Sequence, residues 1–292
     1  MAGGHTVGLA LFNRRGGALH LHASGDPALD RPFIEHNAPL VAAGAPAGTA
    51  AALLRAAWGQ AGRLVLPGVP PALAEAAGGV AWRRQLRPSP CIDLAAARAA
   101  GGWLATLSAN TRQQLRRSDR LYAARGALEA RAATTPAEAA ALLTEMMALH
   151  DRRWGGQGAF ATPWLRRFHA ELAQRLLARG ELELLRVSAG GATVGILHNL
   201  RRAGRVFAYQ AGWAAEADTR MKPGLTCHHQ AIARALDRGD AQYDLLAGGQ
   251  RYKASLAGGG ADLAWVELVR PWSPRGLLAR LRRRGSLQPG GG

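Results

Sequence analysis

Lysine is almost missing from this chain. The 37 Lys and Arg residues include only Lys222 and Lys253; the other 35 are arginine. Cysteine is as scarce. Cys91 and Cys227 build no disulfide framework, which excludes a disulfide-stapled secreted scaffold and leaves a reducing, cytoplasmic location as the expectation. Long apolar runs are also lacking. A membrane span needs about 20 apolar residues, and the best candidate, TAAALLRAAW, is broken by Arg55, so no transmembrane segment is expected. The start, MAGGHTVGLALFNRRGG, has an apolar core too short for a signal peptide, with Arg14 and Arg15 after that core instead of before it. Acid is in short supply: 20 Asp plus Glu leave a formal charge of +17. That balance admits nucleic acid, anionic membrane or phosphorylated small molecules as partners. It also fits a codon bias toward Ala, Gly and Arg. The same bias would convert lysines to arginines, so the two that remain mark places where an ammonium group matters.

What is present describes a globular protein. Hydrophobic residues make up 48% and charged residues 20%, and 292 residues allow two cores. TVGLALF and ALHLHA read as a hairpin around Asn13–Gly17. Thr49 caps AAALLRAAWGQ, RLVLPG is a short strand, and PPALAEAAGG is a short helix with Pro near its start and Gly after its end. VAWRRQLR alternates as a strand, and PSPCIDLAAARAAGGWL reads as a linker. Beyond it, Ser108 or Asn110 caps the basic helix TRQQLRRSDRLYAARG, and Thr135 with Glu138 forms a capping box for PAEAAALLTEMMALHDRRW. Leu143, Met147, His150 and Trp154 share one face of that helix; Trp164, Phe168, Leu172 and Leu176 share one face of the next. Three strands with hairpin spacing follow, turning at Gly190–Gly191 and Gly204, then the helix PGLTCHHQAIARALDRG and the strand AQYDLLAG. The fold class expected is α/β, of the α+β kind, with a mainly antiparallel meander.

The start of PGLTCHHQAIARALDRG is the clearest candidate site. Pro223 opens the helix, and Leu225, His229, Ile232 and Leu236 form its expected buried stripe. The first amides of a helix lack intrahelical partners and sit at the positive end of its dipole. With Arg220 and Lys222 beside them, Gly224 open to close approach and Thr226 offering a hydroxyl, they suit a phosphate.

These pieces resemble the GNAT acyltransferase superfamily, and more closely its CelD-type (cellulose-biosynthesis-associated) branch and the related FemAB peptidyltransferases. The matching segments are LSANTRQQLRRSDRL, LHDRRW, GATVGIL, FAYQAGW, KPGLTCHHQAIARALDRG and YDLLAGGQRYKASLAGG, over roughly residues 88 to 270. The resemblance implies a GNAT fold with two GNAT-like halves, a degenerate one over 1–98 and a catalytic one over 99–272; the residues after them read as a basic, flexible tail over 273–292. It implies acyl-CoA, acetyl-CoA above all, as co-substrate, lying between FAYQAGW (Tyr209, Gln210, Gly212) and AQYDLLAG. The pyrophosphate would lie at Arg220, Lys222, Gly224, Leu225 and Thr226. The acceptor would be an amine, such as an anionic or sugar-linked envelope precursor. Lys253 would face the oxyanion of the tetrahedral intermediate, where a compact ammonium acts as a point charge; the alternative is a surface lysine after a Gly-rich loop. One departure stands out: the superfamily's loop is Gln or Arg, two residues, Gly, one residue, Gly or Ala, whereas here Arg220 precedes Pro223 and Gly224, one place late.

Four groups qualify as general base: Asp244, Glu145, Asp151 and His150, the last equally a packed core histidine. Tyr209 and Tyr252 could protonate a leaving thiolate or simply pack. Cys227, His228 and His229 project about 100° apart and cannot converge on one ion, so no metal is expected, and Cys227 has no adjacent histidine base. Arg112, Arg116, Arg117, Arg120 and Arg125 make either a solvated face or an anion surface. PRGLLARLRRRGSLQPGGG is a basic amphipathic helix that would be solvated or touch anionic lipid. Two rival functions stand beside acyl-CoA transfer: FemAB-like transfer from aminoacyl-tRNA, and non-enzymatic nucleic-acid binding on an inactive scaffold.

Overall fold

A computed structural model describes residues 4–31 and 34–285. The chain divides into two compact units, Met1–Pro88 with Asp262–Gly292, and Ser89–Ala261. The expected breaks at 98/99 and 272/273 lie about ten residues further along the chain. The linker expected at PSPCID is strand, because Asp244, Tyr243 and Gln242 pair with Cys91, Ile92 and Asp93.

The first unit opens with β1 (Gly8–Leu9), which pairs with β4 (Leu40–Val41), and the hairpin β2 (Phe12–Arg15) and β3 (Ala18–Leu21). Gly16 and Gly17 take φ +55° and +73° in its turn, a conformation only glycine adopts cheaply. Helix α1 (Thr49–Ala56) starts one residue earlier than the Thr49 cap predicts: Gly48 is the cap, and Thr49 Oγ1 donates to the Pro46 carbonyl. Strand β5 (Arg63–Val69), α2 (Pro71–Ala76) and β6 (Val80–Asp93) follow. Leu19, Leu21, Leu54, Leu64, Leu66 and Leu268 form this unit's core.

The second unit continues with α3 (Leu94–Ala99), α4 (Trp103–Thr106), α5 (Ala109–Ala123), β7 (Leu128–Ala132), α6 (Pro136–Trp154) and α7 (Pro163–Ala178). Ser108 caps α5, and the Thr135–Glu138 box caps α6 with both reciprocal bonds. The meander is β8 (Leu182–Ala189), β9 (Ala192–Arg202) and β10 (Arg205–Trp213), followed by α8 (Pro223–Asp237), β11 (Gln242–Asp244) and α9 (Arg251–Leu256); β12 (Gly259–Val269) then returns the chain to the first unit. The meander's sheet runs β6-β11-β10-β9-β8-β7, antiparallel except for β10 with β11. Helices α5 and α8 pack on the core that holds Leu115, Tyr122, Leu197, Ile232 and Tyr243. Helix α6 packs on a core holding Met146, Phe160 and Leu184.

Two amphipathic faces are turned from their predicted positions, and a third holds except at its last residue. On α6, Leu143, Met147 and His150 are buried but Trp154 is exposed, because the helix ends there at Gly155. On α7 the buried row is Leu165, His169 and Ala173, one residue on from prediction; Trp164 and Phe168 stack on each other (5.6 Å, 16°) instead. On α8, Thr226, Cys227, His228, Ala231, Ile232 and Ala235 are buried, while Leu225, His229 and Leu236 lie at the margin. In α7 and α8 polar side chains (His169, Thr226 and His228) fill inward positions, which a hydrophobicity pattern cannot register. Back in the first unit, α10 (Pro274–Gly285) closes the described chain; the rest of the expected flexible tail lies outside the described residues.

Candidate functional site

The meander opens beside β10. Arg205, Val206 and Phe207 pair in parallel with Gln242, Tyr243 and Asp244, and there β11 ends. Strand β10 runs on to Trp213, so its edge from Ala208 onward has no β11 partner. A bulge sharpens the divergence. Ala208 opposes Asn199 and Gln210 opposes His198, leaving Tyr209 as the extra residue on β10. The half-buried Gln210 lies just past that bulge. Gly212, expected at the cofactor, is engaged elsewhere: a Cβ there would stand 2.5 Å from the Met146 carbonyl oxygen and 2.9 Å from Leu149 Cβ. It is the point where α6 presses on the strand. Gly195 likewise makes room for the Trp213 ring, which a Cβ would meet at 2.6 Å. Trp213 thereby lies across to the start of α8, 3.7 Å from the position a Gly224 Cβ would take.

Helix α8 starts without a side-chain cap. The backbone N–H of Lys222 donates to Ser118 Oγ (2.8 Å), which lies 2.9 Å from Thr226 Oγ1; that hydroxyl donates to Asp119 Oδ1 (2.7 Å). The second Asp119 oxygen meets His229 Nδ1 at 2.7 Å. Thr226 is therefore fully buried in a clamp between α5 and α8 and does not face a ligand, contrary to its predicted role. Arg220 is also engaged. Its guanidinium and backbone N–H hold Asp218 at 2.8–3.1 Å, which lowers the Asp218 pKa to about 2. Left at the helix start are the Gly224 and Leu225 amides and the Lys222 ammonium, which has no partner among the described residues. The start of α8 therefore offers fewer groups to an anion than its sequence suggests. Ser118 and Asp119 were hidden inside an arginine run whose charge pattern said only "surface".

The turn after β11 is built around two buried charges. Asp244 accepts from Ser89 Oγ (3.2 Å), the Leu246 N–H (2.8 Å) and Arg205 Nη2 (2.9 Å) and is fully buried, so it anchors the turn and does not face a substrate. Leu246 is held at φ +61°, a strained conformation for a leucine. Lys253, on a short helix and not on a loop, is only 8% exposed, and its Nζ donates to the carbonyls of Leu246 (3.2 Å) and Ala247 (3.1 Å). Its burial rules out the surface lysine, and its ammonium is turned onto backbone carbonyls. It fastens the strained turn from within. Beside it Tyr252 stacks on His228 (6.0 Å, 25°), and His228 meets Trp213 edge-on (5.8 Å, 62°). His228 Nδ1 lies 3.0 Å from Tyr243 Oη. Burial first, and the Lys253 charge second, lower the His228 pKa to about 3, so it is neutral at physiological pH. Burial raises the Tyr252 phenol, so it carries its proton there. Trp213, His228 and Tyr252 thus form a continuous row of ring contacts from the end of β10 to α9.

A family model described as an acetyltransferase (GNAT) domain matches residues 109–254, half of the chain. The chain belongs to the GNAT acetyltransferase family. No curated protein matches it in sequence. Among solved structures, it superposes on the C-terminal domain (DUF2156) of a protein from Agrobacterium fabrum assigned provisionally as a lysylphosphatidylglycerol synthetase. That match has TM-score 0.61 and 14% identity and covers 98% of this chain and 87% of the other. FemX (TM-score 0.57, 10% identity, 91% and 86%) and L-PGS from Bacillus licheniformis (0.55, 11%, 95% and 85%) are similar in the same way. At these identities the likeness is one of fold: the GNAT fold, mixed α/β with a mixed sheet.

Within this GNAT fold the remaining candidates separate. Glu145 accepts from Thr193 Oγ1 (2.5 Å), and Asp151 is paired with Arg166. His150 is buried with its ring edge-on to Phe160 (4.9 Å), and burial lowers its pKa. Tyr209 leaves the strand on the α7 side, its ring 5.7 Å from His169 and 5.4 Å from His198. Burial pushes those two histidines to about 4 and about 3. Cys227 is buried and its thiol is pushed up by desolvation, so it is no nucleophile. Among the described residues no group of three His, Cys, Asp or Glu converges as a metal site, and no helix is long and apolar enough to cross a membrane.

Proposed function

We propose that this GNAT chain transfers an acyl group, acetyl in the simplest case, from acyl-CoA to an amine. The observation that carries the reading is the open edge of β10 beyond Phe207, beside the uncapped start of α8. An extended thioester arm can add to that edge through backbone hydrogen bonds, with a pyrophosphate on Lys222 and the Gly224 and Leu225 amides. The amine nitrogen then attacks the thioester carbonyl. A C–N bond forms, a tetrahedral oxyanion develops where edge N–H groups can receive it, and the C–S bond breaks. Tyr252 is the group suited to give the departing thiolate its proton. The four carboxylate and histidine base candidates are bonded or packed elsewhere, so the amine enters neutral, its first proton lost to solvent; the second, shed by the nitrogen once the C–N bond has formed, also leaves to solvent, from which Tyr252 regains its own. Lys253 and Asp244 position the turn that closes the cleft.

The CelD-type branch, and with it an envelope sugar or polysaccharide precursor as acceptor, belongs to this proposal and rests on the sequence segments. So does the reading of the first unit as a degenerate acyltransferase half, which no step of the chemistry requires. One observation favours a second donor: with Thr226 and Arg220 engaged, the phosphate cradle is sparse, and FemX and the lysylphosphatidylglycerol synthetase domains share the fold over most of their length. Under that reading an aminoacyl-tRNA brings the acyl group. Turnover of acetyl-CoA with a panel of amino sugars, before and after ribonuclease treatment, tests the choice. Ribonuclease-resistant release of free CoA supports acyl-CoA; activity that needs intact charged tRNA refutes it.

A further inference from the structure

Helix α10 turns its leucines away from the protein it packs on. Its inward side is made of small residues. Ala279 joins Val80, Val269 and Trp82 in a small core, and Gly276 lies so close to the chain that a Cβ would stand 2.1 Å from the Arg270 carbonyl oxygen. At about 100° per residue, Leu277, Leu278 and Leu281 fall within one arc centred about 180° from those two. All three are exposed, Leu281 by 64%, and Trp272 just before the helix is exposed by 78%. A helix held by glycine and alanine while presenting three leucines and a tryptophan is inverted relative to one that exists only to cover a core.

The charges around the stripe say what covers it. Arg275 and Arg282 lie on one flank and Arg280 on the other, with the Arg280 guanidinium 4.5 Å above the Trp272 ring and that of Arg282 4.9 Å above Trp82. After Glu267 the sequence has six arginines and no acid. A second copy of the chain would bring the same positive rim against this one, which disfavours self-association. Nucleic acid would meet leucines where its phosphates need donors. An anionic bilayer satisfies both parts: the leucines enter the acyl boundary, the tryptophan sits at headgroup level, and the arginines extend to lipid phosphates. We propose that α10 docks this protein on an anionic lipid surface, lying in the plane of the interface.

The test uses the intact chain and vesicles of phosphatidylcholine, with or without about one-third phosphatidylglycerol, at about 0.15 M salt. The expected result is co-sedimentation with the anionic vesicles and little with the neutral ones. The triple variant L277S/L278S/L281S should bind at least tenfold more weakly while keeping its thermal midpoint, since those side chains are exposed. R275Q/R280Q should lose several-fold affinity for anionic vesicles. Absence of binding to anionic vesicles overturns the proposal. So does a triple variant that binds as the parent does, which would assign binding to general positive charge. A concentration-dependent dimer that the triple variant abolishes would also overturn it, by giving the face to a second copy.

Discussion

The start of α8 and the turn after β11 each hold one of the chain's two lysines, and they use it in opposite ways. Lys253 is buried with its ammonium on two backbone carbonyls; Lys222 keeps its ammonium half-exposed at a helix start with no capping side chain. The same side chain is a structural tie in one place and an available charge in the other. The difference teaches that rarity of a residue type marks a site where its shape matters, without saying whether that shape serves a ligand or the fold.

Breaking the buried tie gives the largest expected effect. Lys253→Met leaves the Leu246 and Ala247 carbonyls without a donor, and should cost about 2–4 kcal/mol in urea unfolding. An activity loss with unchanged stability would return Lys253 to catalysis. A pH series sharpens the same region. His228, His169 and His198 titrate in the fold at about 3, about 4 and about 3, below the unfolded value near 6.5. Their neutral burial therefore stabilises fully above about pH 6.5, and that stability is lost as pH falls toward the folded values. Each should contribute a loss of about 1–2 kcal/mol between pH 6.5 and 5, read from urea midpoints. Lys253→Met should shrink the His228 share, since the lysine charge helps hold that ring neutral.

The clamp behind Lys222 comes next. Thr226→Val removes the hydroxyl that links Ser118 to Asp119 and should cost about 1–2 kcal/mol, with donor affinity following only as far as the helix start shifts. A Thr226→Val protein of full stability whose donor affinity fell sharply would restore the hydroxyl to the phosphate. The smallest stability effect belongs to Lys222→Ala, within about 0.5 kcal/mol by urea unfolding, because its ammonium meets no partner among the described residues.

Much of the fold was legible because it rests on local signals. The Ser108 cap, the Thr135–Glu138 box, the Gly190–Gly191 turn and the Pro223 start follow from spacing that the backbone obeys wherever it sits; the Thr49 cap does not, since Gly48 takes its place. The opening beside β10 could not be read locally, since the bulge at Tyr209 and the end of β11 depend on which strands pair. The individual roles were the least legible. Gly212 reads as room for a ligand but is room for α6. Thr226 reads as a phosphate hydroxyl but is bonded across 107 residues of chain to Asp119. His228 was invisible as a link in the row of rings from β10 to α9, because two neighbouring polar residues made it look like one element of a metal motif. Long-range pairing decides whether a polar group faces inward, and nothing within one helix turn records it.

The most direct test of the central claim is calorimetric titration of nucleic-acid-free protein with acetyl-CoA, parent against Lys222→Ala. Micromolar binding is expected in the parent, about five- to tenfold weaker in the variant, with folding stability unchanged. Equal affinity in the two proteins, or no binding to acetyl-CoA or any longer acyl-CoA, would contradict it.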